Sequence, residues 1–342
     1  MAQLNPTADF RVGVVGAGMM GADHIKRIAS SISGATVSAV IEPDEGRAQA
    51  ALANAPGAQA FSRVEDAIAA GAVDGLLVAT PGFLHEAVLL PAIEAGLPTL
   101  CEKPLTPDPE SSWRVLEAEQ AGGRKLIQVG FMRRFDPEYR QLRELIESGD
   151  DGELLMLHCA HRNASVPDDY DQNTLIDGSV VHEFDIVPWL AGSPITSIEV
   201  KETRRNPLTP DRLSEPLLVL IGLENGVLVD VEINVSIQFG YQVTTEAVFS
   251  EGIARIGDPT GLQNWHRGRS SITEHADFTT RFATAYDAQV QAWVDAARNG
   301  EIAGPSAWDG YRVAVACGAG VAAMRDGQLH TVDVPETPAF YA

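Results

Sequence analysis

Gly16-Ala17-Gly18-Met19-Met20-Gly21 lies between an apolar strand pattern and a helical one. In that position G-x-G-x-x-G can cradle a dinucleotide pyrophosphate: the first glycine makes the turn, the second admits the phosphates, and the third lets helix and strand pack. An ordinary glycine-rich turn would explain the string alone. Glu42 tips the reading, because a carboxylate about twenty residues on, at the end of the next strand, accepts hydrogen bonds from a ribose hydroxyl. A carboxylate there also repels a 2′-phosphate, which favours NAD over NADP. Arg47 is the nearby cation that could offset that repulsion. Two later strands end in Ala79-Thr80-Pro81 and Glu102-Lys103-Pro104, where open parallel sheets bind ligands. Thr80, Pro81, His85, Glu102 and Lys103 therefore join Met19 and Met20 as cofactor-binding candidates. For Thr80 a cap or turn role competes, and for Glu102 a structural ion pair.

Taking a hydride from an alcohol requires a base for the hydroxyl proton and a donor or cation for the developing alkoxide. Lys103, restrained to an extended backbone by Pro104, suits the second task. His182 is the base candidate. Helical spacing from Val180 to Leu190 puts Ser179, His182, Ile186 and Trp189 near one face, with Asp185 a turn beyond to relay the proton. The competing reading is a core histidine, with Asp177 or Ser179 as N-cap. In Leu157 to Asn163, strand alternation places His161 and Asn163 on one face and Arg162 on the other, so imidazole and amide can meet a hydroxyl-rich substrate. A polar, solvent-facing strand end is the alternative there. The His158/His161 spacing sends side chains to opposite faces, and no metal site is expected.

The elements that must carry these groups change character along the chain. Phe10 to Val15, Thr36 to Ile41, Gly75 to Ala79, Pro98 to Cys101 and Leu126 to Val129 read as strands alternating with helical stretches. That pattern predicts a doubly wound α/β domain with a parallel sheet over residues 1–130. Beyond it, Leu154 to Asn163, Thr196 to Glu202, Leu217 to Leu223, Val227 to Ser236, Thr244 to Phe249 and Ile253 to Ile256 read as strands. Asn225-Gly226 is a hairpin turn. The expectation for 131–342 is an α+β domain with an open mixed or antiparallel sheet. Helices are expected over Arg281 to Arg298 and Trp308 to Met324.

The chain's 342 residues suit two domains, and 45% apolar content fills two cores. With 47 acidic against 25 basic residues, the net charge of −22 disfavours nucleic acid and anionic membrane. Cys101, Cys159 and Cys317 are scattered, as expected of reduced, buried thiols. Met1 to Asp9 lacks the basic flank and apolar core of a secretory signal, so a cytoplasmic location is expected.

Taken together, several motifs resemble the glucose–fructose oxidoreductase/inositol dehydrogenase/rhizopine catabolism (Gfo/Idh/MocA) family, most of all its inositol dehydrogenases. They are Met19-Met20-Gly21, Glu102-Lys103-Pro104-Leu105, Gly130-Phe131-Met132-Arg133-Arg134-Phe135-Asp136, His161-Arg162-Asn163, His182-Glu183-Phe184-Asp185 with Trp189, and Phe239-Gly240-Tyr241. The resemblance implies a Rossmann domain followed by a mixed-sheet domain that packs into homotetramers, and a cis peptide before Pro104. It implies NAD-dependent oxidation of a cyclitol hydroxyl, with Lys103 and His182 at the reacting hydroxyl. Met132, Arg133, His161, Asn163 and Tyr241 would then line the substrate pocket, with Ser179 beside His182. Members usually carry an aspartate four residues before the catalytic histidine. Here that position is Gly178, and Asp177, the third catalytic candidate, lies one place earlier. The same chemistry on an aldopyranose or anhydrosugar, a non-catalytic dinucleotide sensor, and a hydrolase that uses NAD transiently stand as alternatives.

Overall fold

The computed structural model describes residues 9–342. The reading of a missing secretory signal falls on residues 1–8, outside the described residues, and on Asp9. Contacts divide the chain into two compact units. One comprises residues up to Phe131 with Tyr286–Ala314 and Pro335–Ala342; the other comprises Met132–Ala285 and Val315–Val334.

In the first unit, β1 (Phe10–Val15), β2 (Ala35–Ile41), β3 (Gln59–Phe61), β4 (Gly75–Val78), β5 (Thr99–Cys101) and β6 (Ile127–Val129) form one sheet. Its order is β3-β2-β1-β4-β5-β6 and every pairing is parallel. Helices cover both faces, so β4, β5 and β6 are buried at every position. Strand order reverses between β1 and β4, which makes the crevice at their carboxyl ends the place for a ligand. β3 escaped the sequence reading because its three residues are mostly exposed and carry no apolar run.

The long helix Ala283–Ala297 corrects the expected boundaries. Its Val290, Trp293, Val294 and Ala297 share a core with Phe10, Val12 and Ile25, and Trp293 meets Phe10 edge-on at 5.7 Å. The second domain therefore does not run unbroken from 131 to 342. An amphipathic helix announces an apolar face but not which core receives it.

The second unit holds β7 (Leu154–Arg162), β8 (Ile195–Glu202), β9 (Leu217–Leu223), β10 (Leu228–Asn234), β11 (Gln242–Phe249) and β12 (Ile253–Ile256). A separate hairpin, β13 (Gln263–His266) with β14 (Arg269–Ile272), precedes β15 (His330–Thr331). The main sheet runs β12-β11-β7-β10-β9-β8-β15. β7 and β10 are parallel and the other pairs antiparallel, giving the expected mixed sheet. β9 alternates buried with half-buried residues along its length, as a one-sided sheet requires. Gly226, at φ 87°, closes the β9–β10 hairpin at the Asn-Gly turn. Among the described residues no helix is long and apolar enough to cross a membrane.

Candidate active site

In the first unit, the turn after β1 is shaped by its glycines. Gly16 sits at φ +88°, and a Cβ on Gly21 would lie 1.9 Å from the Gly16 carbonyl oxygen, so neither accepts a side chain. Gly18 is different: a Cβ there meets nothing within 4 Å, which leaves its backbone open to an approaching anion. Met19 is exposed and Met20 half-buried.

Glu42 is buried and accepts from the Ala17 N–H (2.9 Å), the Asp44 N–H (3.0 Å) and Arg47 Nη2 (2.8 Å). Burial pushes its carboxyl up, but Arg47 and the two amides outweigh burial and hold it below the usual carboxylate range. The carboxylate is thus ionised, and Arg47 is engaged with it. On β4's outgoing loop, Thr80 Oγ1 is buried and has no hydrogen-bond partner among the described residues. Pro81 is exposed beside it. An open Gly18, an ionised Glu42 and an unpartnered Thr80 hydroxyl together fit a dinucleotide.

Two other cofactor candidates, His85 and Glu102, occupy bracing positions. His85 is wholly buried, with Nδ1 2.8 Å from the Pro104 carbonyl and Nε2 2.9 Å from that of Thr80, so it ties the two strand-end loops together. Glu102 takes His24 Nε2 at 2.8 Å and the Lys103 N–H at 3.3 Å. A buried side-chain hydrogen bond to His24 is therefore present at Glu102. Lys103 is half-buried, and the Lys103–Pro104 peptide is cis.

In the second unit, β7 delivers its two faces as alternation requires. Arg162 lies on one, bound to Glu232 (Nε to Oε1, 2.8 Å) and Gln242 (2.5 Å). His161 is buried on the other, followed by a half-buried Asn163 whose Oδ1 has no partner among the described residues. The turn Met132–Phe135 sets Met132 and Arg133 deep in the same unit, each 1% exposed. Arg133 Nη1 pairs with Glu183 Oε1, while His161 Nδ1 lies 3.3 Å from both Arg133 Nη2 and Glu183 Oε2. Burial pushes the Glu183 carboxyl up, but Arg133 and His161 prevail and hold it at about 2. The His161 ring lies 6.3 Å from that of His182 and 6.1 Å from that of Tyr241. His161, His182 and Tyr241 therefore form one cluster, backed by a buried ion pair.

Asp185 is held in a bidentate pair by Arg134 (3.0 and 2.5 Å) and is 1% exposed. One alternative reading needs correction. Neither Asp177 nor Ser179 caps the His182 helix, whose start has no side-chain cap. Leu175–Val180 is a π-helical turn running directly into Val181–Ala191, and Ser179 instead meets the Tyr170 hydroxyl at 2.7 Å.

The family model for an oxidoreductase family with an NAD-binding Rossmann fold matches residues 10–131, and the Gfo/Idh/MocA C-terminal domain model matches 139–255. The chain belongs to the Gfo/Idh/MocA oxidoreductase family. Family relatives include the inositol 2-dehydrogenase of Leifsonia xyli subsp. xyli, 64% identical over 99% of this chain and 100% of that protein. The inositol 2-dehydrogenase of Corynebacterium glutamicum strain R is also 64% identical, over 97% and 99%. Among solved structures, the family's myo-inositol dehydrogenase from Lactobacillus casei, in complex with NAD(H) and myo-inositol, superposes with a TM-score of 0.95. It is 30% identical and covers 98% of this chain and 100% of its own.

Sequence reasoning missed three residues of these clusters. Glu183 stood inside a quoted motif, but its partner Arg133 is 50 residues away and no local pattern links them. His24 follows the glycine turn on the Met19–Ser30 helix, where a buried histidine was the available signal. Tyr170 lies in a polar stretch without periodicity.

Proposed function

We propose that the protein is an NAD-dependent dehydrogenase of a cyclitol, converting myo-inositol, or a related inositol, to its ketone, 2-keto-myo-inositol for the former. The carrying observation is the His161, His182, Tyr241 cluster with the unpartnered Asn163 Oδ1, in a chain 64% identical along its length to inositol 2-dehydrogenases.

When bound, NAD supplies the hydride acceptor. His182 takes the proton of the reacting hydroxyl, and Lys103 holds that oxygen as alkoxide character grows. Asp177 serves as the carboxylate partner of this proton transfer. The Gly16–Gly21 turn meets the pyrophosphate, with Met19, Met20, Thr80 and Pro81 around the cofactor. His85 and Glu102 contribute through the loops they hold. Glu42 accepts the ribose hydroxyls and, being ionised, disfavours a 2′-phosphate. Asn163, His161, Ser179 and Tyr241 meet the remaining ring hydroxyls, with Met132 and Arg133 as the inner wall. We further place the protein in the cytoplasm as a homotetramer, in keeping with the family resemblance.

The test is NADH formation with NAD or NADP and a panel of inositol isomers, glucose, xylose and levoglucosan. Turnover with NAD and an inositol is the expected result. Turnover on a sugar alone would replace the substrate and keep the chemistry, and NAD binding without turnover on any of these would overturn the dehydrogenase reading.

A further inference from the structure

We infer that the π-helical turn Leu175–Val180 is a positioning device, stapled by Tyr170, that brings Asp177 onto the helix face occupied by His182. The inference rests on the dehydrogenase reading for what that face does, but its geometry stands on its own residues.

Asp177 precedes His182 by five positions. In an uninterrupted α-helix, residues five apart point about 140° away from each other, so Asp177 would project well off the His182 face. A π turn holds one more residue than an α turn. Val181 closes such a turn here, its N–H donating to the Ile176 carbonyl five residues back. The additional residue is absorbed in the segment that carries Asp177, which restores the one-turn relationship that residues four apart have in an α-helix. Asp177 is half-buried and His182 nearly buried, as two residues of one partly covered face should be.

A π turn is rare because it forfeits α-helical packing, so something must hold it. Tyr170 does so. Its hydroxyl donates to the Thr174 carbonyl at 2.8 Å and receives the Ser179 hydroxyl at 2.7 Å, joining two residues five apart across the wide turn. Gly178 makes the turn possible. A Cβ there would sit 2.4 Å from Thr174 Cγ2, and Thr174 cannot simply rotate away, since its hydroxyl is bound to Asp171 Oδ1 at 2.7 Å. Tyr170 and Gly178 are therefore positioning residues, acting through Asp177.

The experiment is a set of variants of the full-length protein: Asp177→Asn, Tyr170→Phe, a deletion of Gly178, and the deletion combined with Tyr170→Phe. Cofactor binding and melting temperature serve as checks of folding. Asp177→Asn is expected to lower kcat roughly 100-fold with little change in KM for NAD, and to alter the pH profile of kcat. Tyr170→Phe should lower kcat by about tenfold, again without moving KM for NAD. Deleting Gly178 turns the π turn into an α turn with Asp177 four places before the histidine. It should keep kcat within about tenfold of wild type and make the added Tyr170→Phe change nearly silent, a coupling that only a shared positioning role produces.

A folded, cofactor-binding deletion variant as inactive as Asp177→Asn would overturn the inference, as would an Asp177→Asn protein with wild-type kcat and pH profile. Crystal structures of the wild type and the deletion read the register without any turnover. Asp177 on the His182 face in both supports the inference, and Asp177 off that face in either overturns it. A wild type that binds NAD but turns over no polyol would fail the dehydrogenase reading alone, leaving the register to be decided by the crystals.

Discussion

Arg133 and Glu183, fifty positions apart in the chain, form an ion pair in which each side chain is only 1% exposed. The pair does not stand alone. Phe282 lies under the guanidinium at 5.7 Å, and His161 sits on the edge of the pair, tying it to the imidazole cluster around His182. A pair so buried is worth little as net stability compared with apolar residues of the same shape, yet breaking one half of it is costly.

Glu183→Gln is therefore expected to destabilise the second unit by about 3–5 kcal/mol, read from urea unfolding, because it leaves the Arg133 charge buried and unpaired. The pH dependence follows from the lowered carboxyl. Glu183 sits at about 2 against an ordinary 4.5, so its stabilising contribution is complete above the ordinary value and fades as pH falls from there toward about 2. Wild-type stability should fall steeply through that window, and Glu183→Gln should show a shallower slope there. Equal slopes in the two proteins would contradict the assignment.

Glu42 and Arg47 make a prediction about cofactor choice. The Glu42 carboxylate holds Arg47 Nη2 at 2.8 Å, on a side chain otherwise in solvent. Glu42→Ala removes the acceptor for ribose hydroxyls and releases the arginine. The ratio of kcat/KM for NAD over NADP should drop by roughly 100-fold, about two charge-assisted hydrogen bonds' worth of discrimination. An unchanged ratio would show that the discrimination resides elsewhere.

Asn163 offers a separate probe of the polyol site. Its Oδ1 is buried with no partner among the described residues, an arrangement that costs free energy unless a ligand completes it. Asn163→Ala should raise KM for the preferred polyol about tenfold while leaving the NAD dissociation constant unchanged, the pattern of lost ground-state binding. A loss confined to NAD affinity would relocate the residue's role.

His182→Ala and Lys103→Ala should each lower kcat by roughly 100- to 10,000-fold while NAD still binds, since proton transfer and alkoxide stabilisation act on the chemical step. Isothermal titration with NAD checks the binding and NADH formation checks the rate. Wild-type turnover in either variant would remove that residue from the mechanism.

Much of the site is legible in the chain because its signals are local. The glycine turn, the acid at the end of β2 and the strand-end Glu102-Lys103-Pro104 are each set by a few consecutive residues and a periodicity of two or 3.6. Alternation along β7 likewise set His161, which is buried, apart from Arg162, which pairs with Glu232, while Asn163 lies just past the end of the strand. The unanticipated helix Pro137–Ser148 is a different case. Its signal is also local: an aspartate followed by proline, with Asp136 accepting from the Glu138 and Tyr139 N–H groups and proline in the first turn.

Tertiary structure decided the rest. Nothing near Arg133 in sequence marks Glu183 as its partner, and nothing near Asp185 marks Arg134, because a buried charge chooses its counterion across space. The same holds for the Ala283–Ala297 helix, whose apolar face was plain but whose core was not. The π turn is the clearest instance. The chain places Asp177 five positions before His182, and only the folded structure shows the π turn that carries Asp177, with the Val181 N–H on the Ile176 carbonyl and the Tyr170 hydroxyl joined to Thr174 and Ser179. Sequence determined the fold class and the candidate chemistry through short-range pattern. Which charges pair, which core a helix joins and what register a helix keeps were decided by packing, which depends on residues far apart in the chain.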